Sequence, residues 1–353
     1  MKHKSYFILH LMQWHRDINT RQMPWKGEKD PYKIWLSEII LQQTRVEQGL
    51  AYYIKFIRKY PTIRLLAAAG EEEVYKLWEG LGYYSRCKNM QQTARYIASE
   101  LSGKFPQSYQ EILHLKGIGP YTAAAIASFA FNLPHAVVDG NVCRVLARFF
   151  GIQTPIDSTA GKQQIALLAQ ELLHKIEPGI YNQAIMDFGA TVCLPRQPLC
   201  TACPLQNKCS ALLTGQVNQL PVKQKKMLRK SRWFYYYVLQ TNDSIVVRKR
   251  MAKDIWQNLY EFVLVESPHP LTEAELKKND TTLSICVKGW KNFRLSACYK
   301  QQLTHQTIHL YFIHASCNGQ GLPPGYKLVA LSKLKEKPFP KTLKAYLEDT
   351  IFK

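Results

Sequence analysis

Four cysteines fall within 17 residues of this 353-residue chain, at Cys193, Cys200, Cys203 and Cys209. Four soft thiolate ligands so close together in sequence predict a metal centre. Ligation of the metal would hold the loop in one shape. Structural zinc sites usually pair two short C-x2-4-C knuckles, and this stretch contains only one. A four-cysteine [4Fe–4S] cluster is the alternative, and the spacing alone leaves both open.

The remaining cysteines are scattered, at Cys87, Cys143, Cys286, Cys298 and Cys317. The total of nine is odd, and the apolar stretch from Ser5 to Trp14 is interrupted by polar residues with no small-residue cleavage site after it. We therefore expect no export signal, a cytoplasmic protein, an ordinary first helix in this stretch and buried thiols at the five scattered positions.

The charge balance points to a polyanionic partner. Lys and Arg number 47 against 26 Asp and Glu, which gives a formal net charge of +21. No apolar run reaches the roughly 18 residues that a membrane-spanning helix requires. A nucleic acid is therefore favoured over a membrane as the partner.

The sequence changes character after the cysteine stretch. Up to about Ala211 apolar residues recur at helical spacing, with one helix expected from Asp30-Pro31 to about Tyr60. A Lys-rich linker follows, and then strand-like and helical segments typical of an α+β domain. We expect a mostly α domain at 1–215, a linker at 216–231 and an α+β domain at 232–353. The expected strands cover 233–240, 244–247, 260–265 and 308–314, and the expected helices cover 271–278 and 341–347.

A glycine-containing turn and two carboxylates carry the chemistry. Lys116, Gly117 and Gly119 lie between helical segments, where backbone N–H groups can approach a phosphate, although a plain helix–helix turn would read the same. Asp139 precedes a helix, where N–H groups would keep it ionised or where it would simply cap the helix. Glu38 stands on an apolar stripe, where burial would raise its pKa unless it lies at the edge of the core. Together they would suit cleavage of a glycosidic bond.

Five motifs occur in the order found in MutY-type adenine DNA glycosylases of the helix-hairpin-helix, endonuclease III superfamily. They are WLSEIILQQTRV (35–46), WEGLGYYSR (78–86), LKGIGPYT (115–122), VDGNV (138–142) and the cysteine loop with its 6-2-5 spacing. The resemblance implies one [4Fe–4S] cluster per subunit. It also implies a helix-hairpin-helix fold in which Lys116, Gly117 and Gly119 contact DNA phosphate.

The same resemblance implies the roles of the site residues. Glu38 would protonate adenine at N7, Asp139 would stabilise or capture the sugar cation, and Asn141 would orient Asp139. Tyr121 stands where bifunctional relatives place a Schiff-base lysine, so base removal without strand cleavage is expected. The implied adenine pocket comprises Arg21, Trp25, Lys26, Leu41 and Gln183, with Lys26 where many relatives have arginine. The implied wedge and lesion contacts are Gln43, Thr44, Tyr83, Thr304 and His305.

The last third of the chain resembles the Nudix-like domain of this family, through WQNLYEF (256–262). The sequence contains no R-E-x-x-E-E run, so recognition of 8-oxoguanine is expected there in place of hydrolysis. Leu303 replaces an aromatic residue that relatives often carry before the hydroxyl and imidazole, which puts the strength of discrimination in question. The expected partner is double-stranded DNA with A:8-oxoguanine or A:G mispairs, bound by a nucleoid-associated monomer.

Three rival functions are open from the sequence. A bifunctional or different-base glycosylase conflicts with Tyr121, and a DNA-binding protein without activity conflicts with the pairing of Glu38 and Asp139. A Nudix hydrolase conflicts with the missing signature.

Overall fold

The computed structural model describes residues 2–224, 229–278, 294–317 and 319–352. The chain divides into two compact units that do not follow the order of the sequence. One comprises Met1–Ala68 with Asn89–Lys225, and the other comprises Ala69–Lys88 with Lys226–Lys353. A short piece of the helical region therefore belongs to the same unit as the C-terminal third.

The first unit is helical, as expected. Its helices are α1 (Lys2–Asp17), α2 (Pro31–Leu41), α3 (Val46–Lys59), α4 (Ile63–Ala68), α6 (Tyr84–Glu100, continuing from the second unit), α7 (Tyr109–His114), α8 (Pro120–Phe131), α9 (Gly140–Phe150), α10 (Thr159–Leu172), α11 (Pro178–Thr191) and α12 (Ser210–Leu213). Helix α5 (Glu71–Trp78) belongs to the second unit. The core of the first unit is built mainly from α1, α9, α10 and α11, with Phe7, Phe149 and Phe188 among its buried side chains.

The single helix expected from Asp30 to about Tyr60 is wrong. Asp30 does cap α2, accepting a hydrogen bond from the Tyr32 N–H at 2.9 Å. The helix ends at Leu41, however, and Gln43 takes a left-handed φ of 55° before α3 begins at Val46. No glycine or proline marks this break, so local propensity could not reveal it. The break places Gln43 and Thr44 in a turn.

The second unit contains eight described strands in one mixed sheet. They are β1 (Lys230–Gln240), β2 (Ser244–Lys249), β3 (Tyr260–Glu261), β4 (Val263–Ser267), β5 (Arg294–Leu295), β6 (Tyr299–Gln302), β7 (Gln306–Ser316) and β8 (Lys327–Ala330). Strands β1 and β7 run parallel at its centre, and the other pairings are antiparallel. Helices α13 (Glu273–Lys278), α14 (Leu331–Leu334) and α15 (Lys341–Tyr346) complete an α+β domain, which confirms the expected fold class.

Two boundaries differ from the expectation. The strand expected at 260–265 changes partner at Phe262, because Tyr260 and Glu261 pair with β2 whereas Val263–Ser267 pair with β1.

The Lys-rich segment is no plain linker at either end. Leu220 is buried and the Val222 carbonyl accepts a hydrogen bond from the Ile156 N–H at 3.0 Å, while Lys230 and Arg232 are already part of β1. Lys225 and Lys226 lie outside the described residues.

The expectation that all scattered cysteines are buried is partly wrong. Cys87 is buried, Cys143 and Cys317 are half-buried, and Cys298 is exposed at the edge of the sheet. Cys286 lies outside the described residues. Across the described ranges, none of the helices combines the length and apolar character needed to cross a membrane.

Candidate active site

A cavity of about 660 Å³ in the first unit gathers most of the predicted catalytic and pocket residues. Those that line it are Arg21, Trp25, Lys26, Glu38, Leu41, Gln43, Thr44, Tyr121, Asp139, Asn141 and Gln183. They come from α2, α8, α9, α11 and the loop after α1, so elements far apart in sequence build one site.

Glu38 lies on the buried face of α2, beside Ile34 and Trp35. Burial raises the pKa of Glu38 to about 7, and the nearby negative charge of Asp139 adds to the shift, whereas a hydrogen bond with Tyr121 opposes it. Burial also raises the pKa of the Tyr121 phenol well above its ordinary value. Glu38 can therefore hold a proton near neutral pH, as a general acid must.

Asp139 is the N-cap of α9 and a member of the cavity wall at once. One carboxylate oxygen accepts from the Val142 N–H at 2.7 Å, and the other accepts from the Asn141 amide at 2.8 Å. Burial raises the pKa of Asp139, while these hydrogen bonds and the positive charge of Arg144 lower it. The environments of the two carboxyls thus differ, because Glu38 has only the Tyr121 hydrogen bond to oppose burial.

Arg144 holds Asn141 in place from the side away from the cavity. Its guanidinium donates to the Asn141 side-chain oxygen at 2.8 Å, to the Gly189 carbonyl at 2.7 Å and to the Cys193 carbonyl at 2.7 Å. A Cβ at Gly189 would lie only 2.6 Å from the Asn141 Cβ. Close approach of α9 and α11 therefore requires glycine at position 189, and Arg144 ties this contact to the start of the cysteine loop.

Asp187 is a buried charge that organises the predicted adenine pocket. One of its oxygens accepts from Arg21 at 2.8 Å and from Gln183 at 2.9 Å. The other accepts from Asn19 at 2.9 Å and lies 3.2 Å from the Lys26 ammonium. Since the Asp187 side chain is fully buried, this one carboxylate fixes three of the five predicted pocket residues.

The hairpin lies between α7 and α8 as the sequence suggested. Gly117 has a φ of 78°, and a Cβ there would lie 2.8 Å from the Asn89 Cβ, so both its conformation and its packing favour glycine. The Lys116 carbonyl accepts from the Thr93 hydroxyl at 2.8 Å, and Gly119 caps α8. The Lys116 side chain is exposed.

The four cysteines of the loop are free thiols around one small cavity of about 30 Å³. Buried Arg148 donates to the Cys193 sulfur at 3.5 Å and to the carbonyls of Leu194, Pro195 and Leu220. Burial and, to a smaller extent, the neighbouring sulfurs raise the pKa of the Cys203 thiol to about 12. Four cysteine sulfurs are the donor set that iron–sulfur clusters and structural zinc sites take.

Donor type makes this loop fit an iron–sulfur cluster or zinc. Within the described ranges, no three His, Cys, Asp or Glu side chains are arranged closely enough to chelate an ion. Two observations support the fit of the loop to such a group. The four cysteines line one cavity, and the Arg148 guanidinium lies beside the Cys193 sulfur.

The remaining predicted lesion contacts lie in the second unit. Tyr83, Thr304 and His305 line a cavity of about 530 Å³ together with Trp256 and Gln257. The Tyr83 hydroxyl hydrogen bonds to the Thr304 hydroxyl. Tyr83 has a left-handed φ of 49° and remains 42% exposed.

Sequence reasoning missed Asp187, Arg144 and Arg148. A signal was present in each case, since Asp187 interrupts the apolar helix PGIYNQAIMDFGAT and both arginines interrupt GNVCRVLARFF. A charged residue on a buried face needs a partner. Which partner it has could not be read from the sequence.

The chain matches two family profiles. Residues 36–174 match the HhH-GPD superfamily of base excision DNA repair proteins, and residues 234–349 match the NUDIX domain. The chain is 29% identical to a thermostable thymine-DNA glycosylase of known structure, with a TM-score of 0.56, over 60% of this chain and 98% of that one. An endonuclease III–DNA complex, at 21% identity and a TM-score of 0.52, shares the fold.

The chain is also similar to several proteins named adenine DNA glycosylase. The chain is 34% identical to that of Buchnera aphidicola subsp. Baizongia pistaciae over 309 residues, covering 86% of this chain and 84% of the relative. It is 43% identical to that of Homo sapiens over 219 residues, covering 60% of this chain and 40% of the relative. The chain therefore belongs to the adenine DNA glycosylases, enzymes of the HhH-GPD superfamily of base excision DNA repair.

Proposed function

We propose that this protein is a monofunctional glycosylase that removes adenine paired with 8-oxoguanine, and also with guanine, from double-stranded DNA. The observation that carries the proposal is the pair of carboxyls in one cavity, Glu38 with a pKa of about 7 and Asp139 held by N–H donors. We also propose that the protein acts as a monomer. Its substrate would place it with the nucleoid in the cytoplasm.

The proposed reaction uses Glu38 as the acid and Asp139 as the anion. Adenine is a poor leaving group unless it departs neutral, and protonation by Glu38 at N7 would allow this. The departing base leaves a cationic sugar, which the Asp139 carboxylate would stabilise or capture. The Asn141 amide and the Val142 N–H keep that carboxylate in position. Water completes the hydrolysis of the N-glycosidic bond.

The expected absence of strand cleavage is supported by the amines of the cavity. Tyr121 has a neutral phenol that cannot form an imine. Lys26 lies 3.2 Å from Asp187, and Lys29 donates to the Phe129 carbonyl at 3.0 Å. An ammonium held in this way is not a nucleophile.

We further propose that Cys193, Cys200, Cys203 and Cys209 hold a [4Fe–4S] cluster, one per chain. The cluster would supply a structural cross-link. Arg148 and Arg144 would then transmit a fixed loop position to α9, on which Asn141 lies. In sequence order we propose a glycosylase region at 1–215, a linker at 216–231 and a recognition region at 232–353, with residues 69–88 packed in the compact unit of the last region. The recognition region would read 8-oxoguanine through Thr304 and His305. The wedge residues would be Gln43, Thr44 and Tyr83.

The test is single-turnover excision from duplexes with adenine opposite 8-oxoguanine, guanine or cytosine. We would compare wild type, Glu38→Gln and Asp139→Asn with Glu47→Gln, whose carboxyl is exposed on α3. Alkali-dependent cleavage that is lost in the first two variants and kept in Glu47→Gln is expected. Cleavage without alkali, with a protein–DNA adduct trapped by borohydride, would refute the monofunctional assignment. Equal rates on all duplexes would refute the lesion preference.

A further inference from the structure

Helix α5 lies in the helical part of the sequence but in the second compact unit of the structure. Residues 69–88 pack with the C-terminal strands, whereas the chain on either side of them belongs to the first unit. This segment carries Tyr83. The contacts that hold it belong neither to the cavity of the carboxyls nor to the cysteine loop.

The first turn of α5 is acidic and meets basic and polar groups of the sheet domain. Glu71 lies 2.9 Å from the Lys249 ammonium and accepts from the Asn258 amide at 3.0 Å. Glu72 accepts from the Tyr260 hydroxyl at 2.6 Å and from the Lys337 ammonium at 2.8 Å. Acidic residues are also favoured at a helix N-terminus, because the helix dipole is positive there. Glu71 and Glu72 therefore interact favourably both with their own helix and with the sheet domain.

The residue after α5 makes the most buried of these contacts. The Glu79 side chain is 3% exposed and lies 2.8 Å from the Lys344 ammonium. It also lies 3.0 Å from Lys76 and accepts from the Phe339 N–H at 2.9 Å. A carboxylate buried at this depth requires its partners, so Glu79 fixes the C-terminal end of α5 to residues 339–344.

A short rigid path leads from this end of α5 to Tyr83. Trp78 is fully buried, and its indole N–H donates to the Gly82 carbonyl at 2.9 Å. The Arg86 guanidinium lies over both rings, 5.4 Å from the centroid of Trp78 and 5.1 Å from that of Tyr83. With the hydrogen bond to Thr304, the exposed Tyr83 is held by groups of the second unit.

We propose that Glu71, Glu72 and Glu79, with Lys249, Lys337 and Lys344, form a clamp that positions Tyr83 for lesion recognition. This α5 clamp holds the proposed wedge residue Tyr83 in the unit that contains Thr304 and His305. Its residues are positioning residues that do not touch DNA. The proposal rests on the proposed preference for 8-oxoguanine and on the wedge role of Tyr83.

The experiment reverses and then restores one half-buried pair of the clamp, Glu72 and Lys337, in the full-length protein. Glu72→Lys and Lys337→Glu are made singly and together, because the double variant restores the attraction with its sign exchanged. Lys333→Glu is the matched control, since it makes the same charge change on an exposed lysine of α14 outside the clamp. Two quantities are measured. One is hydrogen exchange of residues 69–88, and the other is the ratio of adenine excision rates opposite 8-oxoguanine and opposite cytosine.

Each single reversal is expected to speed exchange in residues 69–88 and to lower the rate ratio about fivefold, which corresponds to about 1 kcal/mol. The double variant is expected to recover both, and Lys333→Glu to change neither. Unchanged exchange in the single variants would overturn the clamp. Faster exchange with an unchanged ratio, or equal losses on both duplexes, would overturn its positioning role.

Failure of the proposed function gives a different result. A wild-type protein with no preference for 8-oxoguanine would refute that function and the positioning role that rests on it. The hydrogen-exchange data on wild type and the four variants would still decide whether the α5 clamp holds residues 69–88.

Discussion

Arg144 donates a 2.8 Å hydrogen bond to the side-chain oxygen of Asn141, whose amide in turn donates to Asp139 at 2.8 Å. The Asn141 amide is thereby fixed with its nitrogen toward the carboxylate. Arg144→Gln is expected to lower the single-turnover excision rate about 100-fold, since small misplacements of a catalytic group have effects of that order. DNA affinity should change little.

The matched control is Arg16→Gln, which removes an exposed guanidinium that pairs with Glu177 at 2.7 Å. Its excision rate should equal that of wild type. An Arg144→Gln protein with wild-type excision would show that Asn141 is oriented without this contact.

The pH dependence of excision should report Glu38. Its pKa is raised to about 7, and the acid form is the active one. The single-turnover rate is therefore expected to fall about tenfold per unit as the pH rises above 7. A rate that stays constant from pH 6 to 9 would exclude Glu38 as the proton donor.

The same shift affects stability, with a defined sign. The folded protein holds the Glu38 proton up to about pH 7, whereas an unfolded glutamic acid loses it near its ordinary value of 4.5. The contribution of Glu38 to the free energy of unfolding is full below pH 4.5. About 3 kcal/mol of it is lost as the pH rises through 7. Glu38→Gln should be more stable than wild type at pH 8 but not at pH 4.5, as measured by urea unfolding. Equal differences at both values would contradict the shift.

Asp187→Asn should disturb folding and the adenine pocket together. The substitution keeps the shape of the side chain but leaves Arg21 and Lys26 without their buried anion. Loss of one partner of a buried pair costs about 3–5 kcal/mol of unfolding free energy. Chemical denaturation measures this, with the exposed Asp17→Asn as the control. A loss below 1 kcal/mol in Asp187→Asn would show that water replaces the carboxylate.

Cys203→Ser tests the cysteine loop. Burial raises the pKa of the Cys203 thiol, and removal of this thiol should abolish stoichiometric iron and sulfide in the purified protein. The midpoint of thermal unfolding should fall as well. Zinc in the wild-type protein would contradict the iron–sulfur assignment, and Cys298→Ser, at an exposed position, should change neither quantity.

Periodicity and composition were sufficient for the two fold classes and for most elements of the sheet. Aromatic and β-branched content predicted the central strands, and Phe234 to Leu239 in β1 are buried on both faces of the sheet. The burial of Glu38 was also predictable, since its helical neighbours are apolar. These features depend on residues close together in sequence.

Features that depend on distant residues were not predictable. Asp187 is held by Arg21, which lies 166 positions away, so no local pattern reports the pair. The break after Leu41 has no glycine or proline to mark it in the sequence. The segment at 69–88 has the same helical pattern as its neighbours, yet it packs with strands that follow more than 150 residues later.

The assignment of residues 69–88 to the second unit means that the chain passes between the units three times, after positions 68, 88 and 225. Proteolysis at 216–231 would therefore cut one of three covalent connections and leave the two others intact. A protein shortened to residues 232–353 would lack α5, and Asn258 and Tyr260 would lose the acceptors they have in Glu71 and Glu72. The C-terminal third would be an incomplete folding unit, whose behaviour alone would say little about its role in the whole enzyme.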